Sequence, residues 1–365
     1  VNPLILHNGI IHSPTDPYAT ALLVEDGMIA WLGSEETHTQ IAPEAERVDL
    51  EGAVVAPLFV DPLVLAASDL DDSATKHGGN GALARGVGTI TVLAAGGTSG
   101  QRSCSPAPMT LLYRDLDAVA TGALGVWVPT DELSQTDVNE ALIQAIQAGE
   151  QPYLASSAGH DPQARAQAQC RSLTALRAAE QRLGVPALGR VRPRLVLDGR
   201  LDDEDTALLG ATASSVTVMP SQGRLDAPIG SLLAAGVPVC LGPEPGTSPW
   251  EAMQAALHHP EPAERVSARS AFAACTRAGL RAAAAGPSVH AAPPTRLAVS
   301  AAADLAVWRA DAVGVQAPDS RVAAWSTDTR AGTPLLPDLE DGAAPPRLIA
   351  TLAAGRTVCG SLTSA

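Results

Sequence analysis

A chain of 365 residues, 46% hydrophobic and 17% charged, is long enough for one large barrel-type domain or two ordinary ones. Its formal charge of -15 comes without basic clusters, which excludes nucleic acid as a partner and disfavours an acidic membrane surface. No apolar run approaches the roughly 20 residues that span a bilayer, and no basic region precedes a hydrophobic stretch at the start, so a cytoplasmic protein is expected.

The first segments, "LILHNGIIHSP" and "ALLVEDGMIAWLGS", are short apolar runs broken by Asn8-Gly9 and Asp26-Gly27, pairs that suit tight hairpin turns. A small antiparallel sheet is predicted over residues 1–53. From there strand-like runs alternate with helical stretches, the pattern of parallel βα units. Seven strands are predicted, at 58–66, 87–95, 123–129, 152–159, 192–199, 214–220 and 237–243, one short of a full barrel of eight.

The intervening helices carry their own punctuation. Asp137 and Glu140 form a capping pattern, Asp161-Pro162 opens a long helix closed by Gly184, and Ser248-Pro249-Trp250-Glu251 combines a capping box with proline at the first helical position. Toward the end, "ADLAVWRAD", "RVAAWST" and "LIATLAAGRTVCG" read again as short strands. Five cysteines lack a CxxC pair and read as reduced, and Lys76 is the only lysine.

The order of an N-terminal β segment, a strand "APLFVDPLVL", a βα array and a returning "ADLAVW…GRTV" resembles the amidohydrolase superfamily, above all its YtcJ-like members. "RPRLVLDGRLDDEDTALLGATASSVTVMPSQG" and "LLAAGVPVCLGPEPGTSPWEAMQAAL" carry the most specific likeness. The resemblance implies a (β/α)8 TIM-like barrel, complete or lacking one strand, over residues 54–296. It also implies a composite β-sandwich domain from residues 1–53 and 297–365.

It further implies metal ligands at the carboxyl ends of the barrel strands, where imidazole and carboxylate hold zinc and lower the pKa of its bound water. At those positions this chain has other side chains. The family's Asp-x-His-x-His becomes Asp61, Leu63 and Leu65; the histidine of a later strand becomes Ser156, with His160 beside the family's aspartate. Arg-x-x-His becomes a segment with Leu197, followed by Asp198, and the final Gly-Ser-Asp becomes Pro243 and Glu244. A bridging lysine is excluded, because Lys76 lies in a polar, Gly-rich loop.

Asp61, Leu63, Leu65, Ser156 and Leu197 are therefore the expected pocket residues, and no metal or other cofactor is expected. Glu244, His160 and Asp198 are the catalytic candidates. A carboxylate beside an apolar pocket can act as a base, and each of the three also has a structural alternative as an ion-paired or backbone-bonded loop residue. The functional expectation is a binding protein that has lost metal catalysis and takes a small molecule or a protein partner, including a second copy of itself. The alternative is a hydrolase of C–N bonds in amides or cyclic amides that uses the remaining carboxylates.

Overall fold

In the computed structural model the described residues are 2–66, 81–94, 108–118, 122–158, 162–284, 295–316, 325–326 and 334–362. Strands from both ends of the chain build the sandwich. In one sheet Leu4–His7 lies between Ala21–Glu25 and Glu46–Asp49, with Met28–Gly33 at the edge. The other sheet runs Ile10–Ile11, Val54–Pro57, Leu305–Arg309, Arg347–Ala353 and Arg356–Gly360. Leu6, Leu22 and Ile29 from the first meet Val55, Leu305, Val307 and Leu352 from the second in one buried core. Each such side chain contributes on the order of 1.5–3 kcal/mol by leaving water.

The two predicted turns behave differently. Asp26 and Gly27 both have positive φ, 49° and 79°, and join the antiparallel strands Ala21–Glu25 and Met28–Gly33 as a hairpin. Asn8 also has positive φ, yet Leu4–His7 and Ile10–Ile11 lie in different sheets, so Asn8-Gly9 is a crossing between layers. Gly9 is required by proximity: a Cβ there would sit 2.5 Å from the Leu50 side chain. The sandwich also extends past the expected boundary at residue 53, because Val54–Pro57 pairs with Leu305–Arg309. Residues 53–60 are all buried, so hydrophobicity gives no mark where the sandwich ends and the barrel begins.

Eight parallel strands in sequential order form the barrel sheet: Phe59–Ala66, Val87–Ala94, Met109–Arg114, Gly125–Pro129, Gln151–Ala155, Arg194–Leu197, Ser215–Val218 and Val239–Leu241. The strand absent from the sequence reading is the third, "MTLLYR". Its signal was a Leu-Leu-Tyr run bounded by Pro108 and Asp115. It escapes a search for βα alternation because no helix occupies the described residues between it and the fourth strand.

The helices begin and end as their local chemistry dictates. The cap of Gln135–Ala148 is not the predicted Asp137–Glu140 pattern: Ser134 accepts a hydrogen bond from the Asp137 N–H, which puts Asp137 inside the first turn, and the helix closes on Gly149 in the left-handed region. The helix Pro162–Leu183 is followed by Gly184, and Ser248 caps Pro249–Leu257 with proline in its first turn.

A cluster of four aromatic rings joins barrel to sandwich. Phe59 of the first strand packs edge-on to Trp250, Phe272 and Trp308, and Trp308 belongs to the sandwich strand Leu305–Arg309. These include both phenylalanines of the chain, so its few aromatic residues are concentrated at this joint. Among the described residues no helix is long and apolar enough to cross a membrane.

Candidate functional site

Alternation along the barrel strands separates two sets of side chains. Leu195, Leu197, Val216 and Val218 pack with Leu142, Leu176 and Leu209 of the surrounding helices. Leu63, Leu93, Tyr113, Trp127, Tyr153, Ala155, Val196 and Met219, from seven successive strands or their ends, form a separate interior cluster with Leu65 packed on it.

At the amino-terminal end the interior is polar. Arg194, the first residue of the sixth strand, is buried with its guanidinium 4.5 Å from the Tyr153 ring centroid and 5.5 Å from that of Tyr113. Its Nη1 donates to the Tyr113 hydroxyl at 3.3 Å, while Nε and Nη2 have no hydrogen-bond partner among the described residues. The Tyr113 hydroxyl donates to Gln151 Oε1. That oxygen also accepts the Ala284 N–H, and Gln151 Nε2 donates to the carbonyls of Arg192 and Ala282. Every hydrogen-bonding site of this buried amide is used, and it closes the barrel floor. The Tyr153 hydroxyl donates to the Pro62 carbonyl across the barrel at 2.9 Å, and Thr217 donates to the Tyr153 oxygen at 2.6 Å. Burial pushes both tyrosine pKa values up, with Arg194 opposing, so the phenols stay protonated.

Above this floor the interior is apolar. Leu63 and Leu65 take the inward positions expected of them. Leu197 does not: it belongs with Leu195 to the outer cluster. Arg194 and Val196 point inward, so matching the segment to Arg-x-x-His sets Leu197 on the wrong strand face. Asp61 is also separate from the leucines. Register irregularities around it and between Asp61 and Val64 break the strand's alternation. Its carboxylate accepts the Leu63 N–H and faces the Arg85 guanidinium at 3.8 Å. Burial raises the Asp61 pKa to about 6, against the pull of Arg85 and of that hydrogen bond.

Among the described residues, three carboxylates follow barrel strands at the mouth, each held by its neighbours. Asp198 follows the sixth strand and pairs with the buried Arg165 at 2.9 Å. One turn on, Gln169 of the same helix accepts the N–H groups of Asp198 and Gly199. Burial, with a smaller contribution from the Asp226 charge, raises the Asp198 pKa although Arg165 opposes it. Glu244 follows the eighth strand and accepts the N–H groups of Gln222 and Gly223, tying that strand's exit to the preceding loop.

The third carboxylate, Asp131, was missed in the sequence. It follows the fourth strand and accepts hydrogen bonds from the Ser156 and Ser157 hydroxyls and the N–H groups of Ser157 and Ala158. Burial works to raise its pKa, but these hydrogen bonds outweigh it and the net shift is downward. Ser156 thus stands at the mouth as expected, bonded to an aspartate. The only local sign was the position of Asp131 directly after the apolar run "GVWVPT". His160 and Lys76 lie outside the described residues.

Solved structures share this architecture across nearly their whole length. A triazine hydrolase variant aligns with a TM-score of 0.59 at 13% identity, covering 99% of this chain and 96% of its own. Atrazine chlorohydrolase from Arthrobacter aurescens TC1, complexed with zinc, aligns at 0.55 and 12%, covering 98% and 96%. An uncharacterised metal-dependent hydrolase from Pyrococcus horikoshii OT3 aligns at 0.53 and 10%, covering 84% and 97%. The chain has the amidohydrolase fold. No protein-family model matches it, and no curated protein matches its sequence.

The described mouth of this amidohydrolase fold does not fit a zinc ion. Zinc takes imidazole, thiolate or carboxylate ligands. The inward residues are Leu63, Leu65, Ala155, Val196 and Met219. Asp198 is paired to an arginine, Asp131 accepts four hydrogen bonds, and Glu244 is tied to the loop at Gln222 and Gly223, away from the other two. Among the described residues, no three potential ligands converge in the barrel.

Proposed function

We propose that this chain is a non-hydrolytic protein on the amidohydrolase fold, which binds a small molecule or a protein partner at the carboxyl end of its barrel. The observation that carries this reading is the inward placement of Leu63 and Leu65 above a closed polar floor, with the rim carboxylates engaged in holding loops. An apolar interior rimmed by a few oriented polar groups is the common composition of a ligand pocket. Turnover of a broad panel of amides and cyclic amides, with and without added zinc, tests the reading. No turnover under either condition is expected, together with a ligand that raises the melting temperature of the wild-type chain. Hydrolysis abolished by Glu244→Gln or Asp198→Asn would overturn it.

The raised pKa of Asp198 favours a second reading, a hydrolase of non-peptide C–N bonds. A half-buried carboxyl that keeps its proton above the usual carboxylate range can supply a general acid. Its ion pair with Arg165 favours the charged carboxylate over the protonated acid, which makes this the weaker reading.

A further inference from the structure

The converging metal-ligand side chains in the described structure lie in the sandwich. His7 ends the strand Leu4–His7, Glu35 follows the strand Met28–Gly33, and His38 opens the short turn of helix His38–Gln40. The two imidazoles are stacked, with centroids 4.5 Å apart and planes inclined by 9°. Both present Nδ1 to one carboxylate oxygen: Glu35 Oε1 is 3.0 Å from His7 Nδ1 and 3.6 Å from His38 Nδ1. One potential ligand atom from each of the three residues falls within 4.8 Å of the others.

We propose that His7, His38 and Glu35 bind a divalent transition-metal ion, with zinc as the probe. Two imidazoles and one carboxylate, with a fourth position left to water, are a donor set that zinc accepts. Ligand atoms 3.0 and 3.6 Å apart have the spacing of an ion bonded to each at about 2.0–2.2 Å; because an imidazole binds a metal in its own ring plane, one of the two stacked rings turns out of the stack as the ion binds. The other carboxylate oxygen is already positioned, because Glu35 Oε2 accepts the Asn8 N–H at 2.6 Å, and the Glu35 N–H donates to Thr20 Oγ1 at 2.7 Å. Such supporting bonds orient a ligand before the ion arrives. The ion enters from the Glu35 side: that side chain is 42% exposed, against 18% for His7 and 8% for His38.

Coordination replaces the hydrogen bond between His7 Nδ1 and Glu35. It also exchanges the donation of His38 Nδ1 to the Glu35 carbonyl for a metal bond, each neutral imidazole carrying its proton on Nε2 instead. The result clips the first strand of the sandwich to the turn after its fourth.

The test uses the full, tag-free chain stripped with chelator, titrated with zinc against a chromophoric competitor and then measured by zinc K-edge absorption. One zinc per chain is expected, with a shell of N and O ligands that includes imidazole. His7→Ala and Glu35→Gln are each expected to weaken binding on the order of tenfold or more. Glu35→Gln keeps the shape of the site, so a folding defect in the histidine variant leaves the test intact, and Glu140→Gln, at an exposed helix position, serves as a control outside the site. Absence of binding, or binding unchanged in Glu35→Gln, overturns the proposal; neither result bears on the reading of the barrel mouth.

Discussion

The two ends of the barrel interior are made of opposite materials. At the floor, Tyr113, Gln151, Tyr153, Arg194 and Thr217 are bonded to one another and to the chain across the barrel. Toward the mouth, Leu63, Trp127, Val196 and Met219 fill the same bore without a polar contact except the Trp127 N–H to the Ala155 carbonyl. In barrel enzymes the amino-terminal face serves stability and the carboxyl face chemistry. Here the floor keeps its structural role, while the mouth is lined by apolar side chains and its rim carboxylates hold the surrounding loops.

The sharpest way to break this contrast is at the rim. Asp198→Asn leaves the Arg165 guanidinium buried without a counter-charge, and a loss of about 3–5 kcal/mol is expected in urea unfolding. A loss near zero would show Asp198 free for another task. Leu63 is buried in the interior cluster, so Leu63→Ala is expected to cost on the order of 2–5 kcal/mol, and Leu65→Ala, at a half-buried position, less. Equal, negligible effects would show that neither leucine packs in the barrel interior.

Titration separates the regions next. The folded-state pKa of Asp61 is raised to about 6, so its contribution is fully present below pH 3.8 and is lost as pH rises through about 6. His12, in the sandwich beside Phe272, has its pKa lowered to about 4 by burial, with Arg269 assisting and its hydrogen bond to the Leu335 carbonyl opposing. Its contribution is present above pH 6.5 and lost as pH falls through about 4. Each is worth up to about 3 kcal/mol with opposite sign, so the two largely cancel between pH 4 and 6.5. Denaturation across that window is expected to show stability rising with pH in Asp61→Asn and falling with pH in His12→Asn. The smallest effect belongs to the floor: Tyr153→Phe removes two hydrogen bonds and strands the Pro62 carbonyl, at a cost of about 1–3 kcal/mol.

Much of this architecture was legible in the residues. Ser248 acts as helix punctuation through its own side chain, and Asp26-Gly27 carries its turn geometry locally, whereas the start of Gln135–Ala148 fell at Ser134 and not at Asp137. Leu63 and Leu65 share the inward face as their two-residue spacing predicts, while the register break before Val64 sets Asp61 apart from them. What escaped depends on partners distant in sequence. Asp131 is defined by serines 25 and 26 residues away, and Glu244 by N–H groups 22 and 21 residues away. Leu197 was misplaced because four buried residues in a row, Arg194–Leu197, give no sign of which face is interior. Arg194 decides it, and a buried arginine held by two tyrosine rings has no local signature.

Zinc-edge anomalous diffraction from crystals of the full chain soaked in zinc tests the metal-free mouth most directly. No anomalous peak is expected within bonding distance of Asp198, Glu244 or Asp131, whatever is found at His7, Glu35 and His38. A zinc ion coordinated by Asp198 or Glu244 at the carboxyl end of the barrel would contradict it.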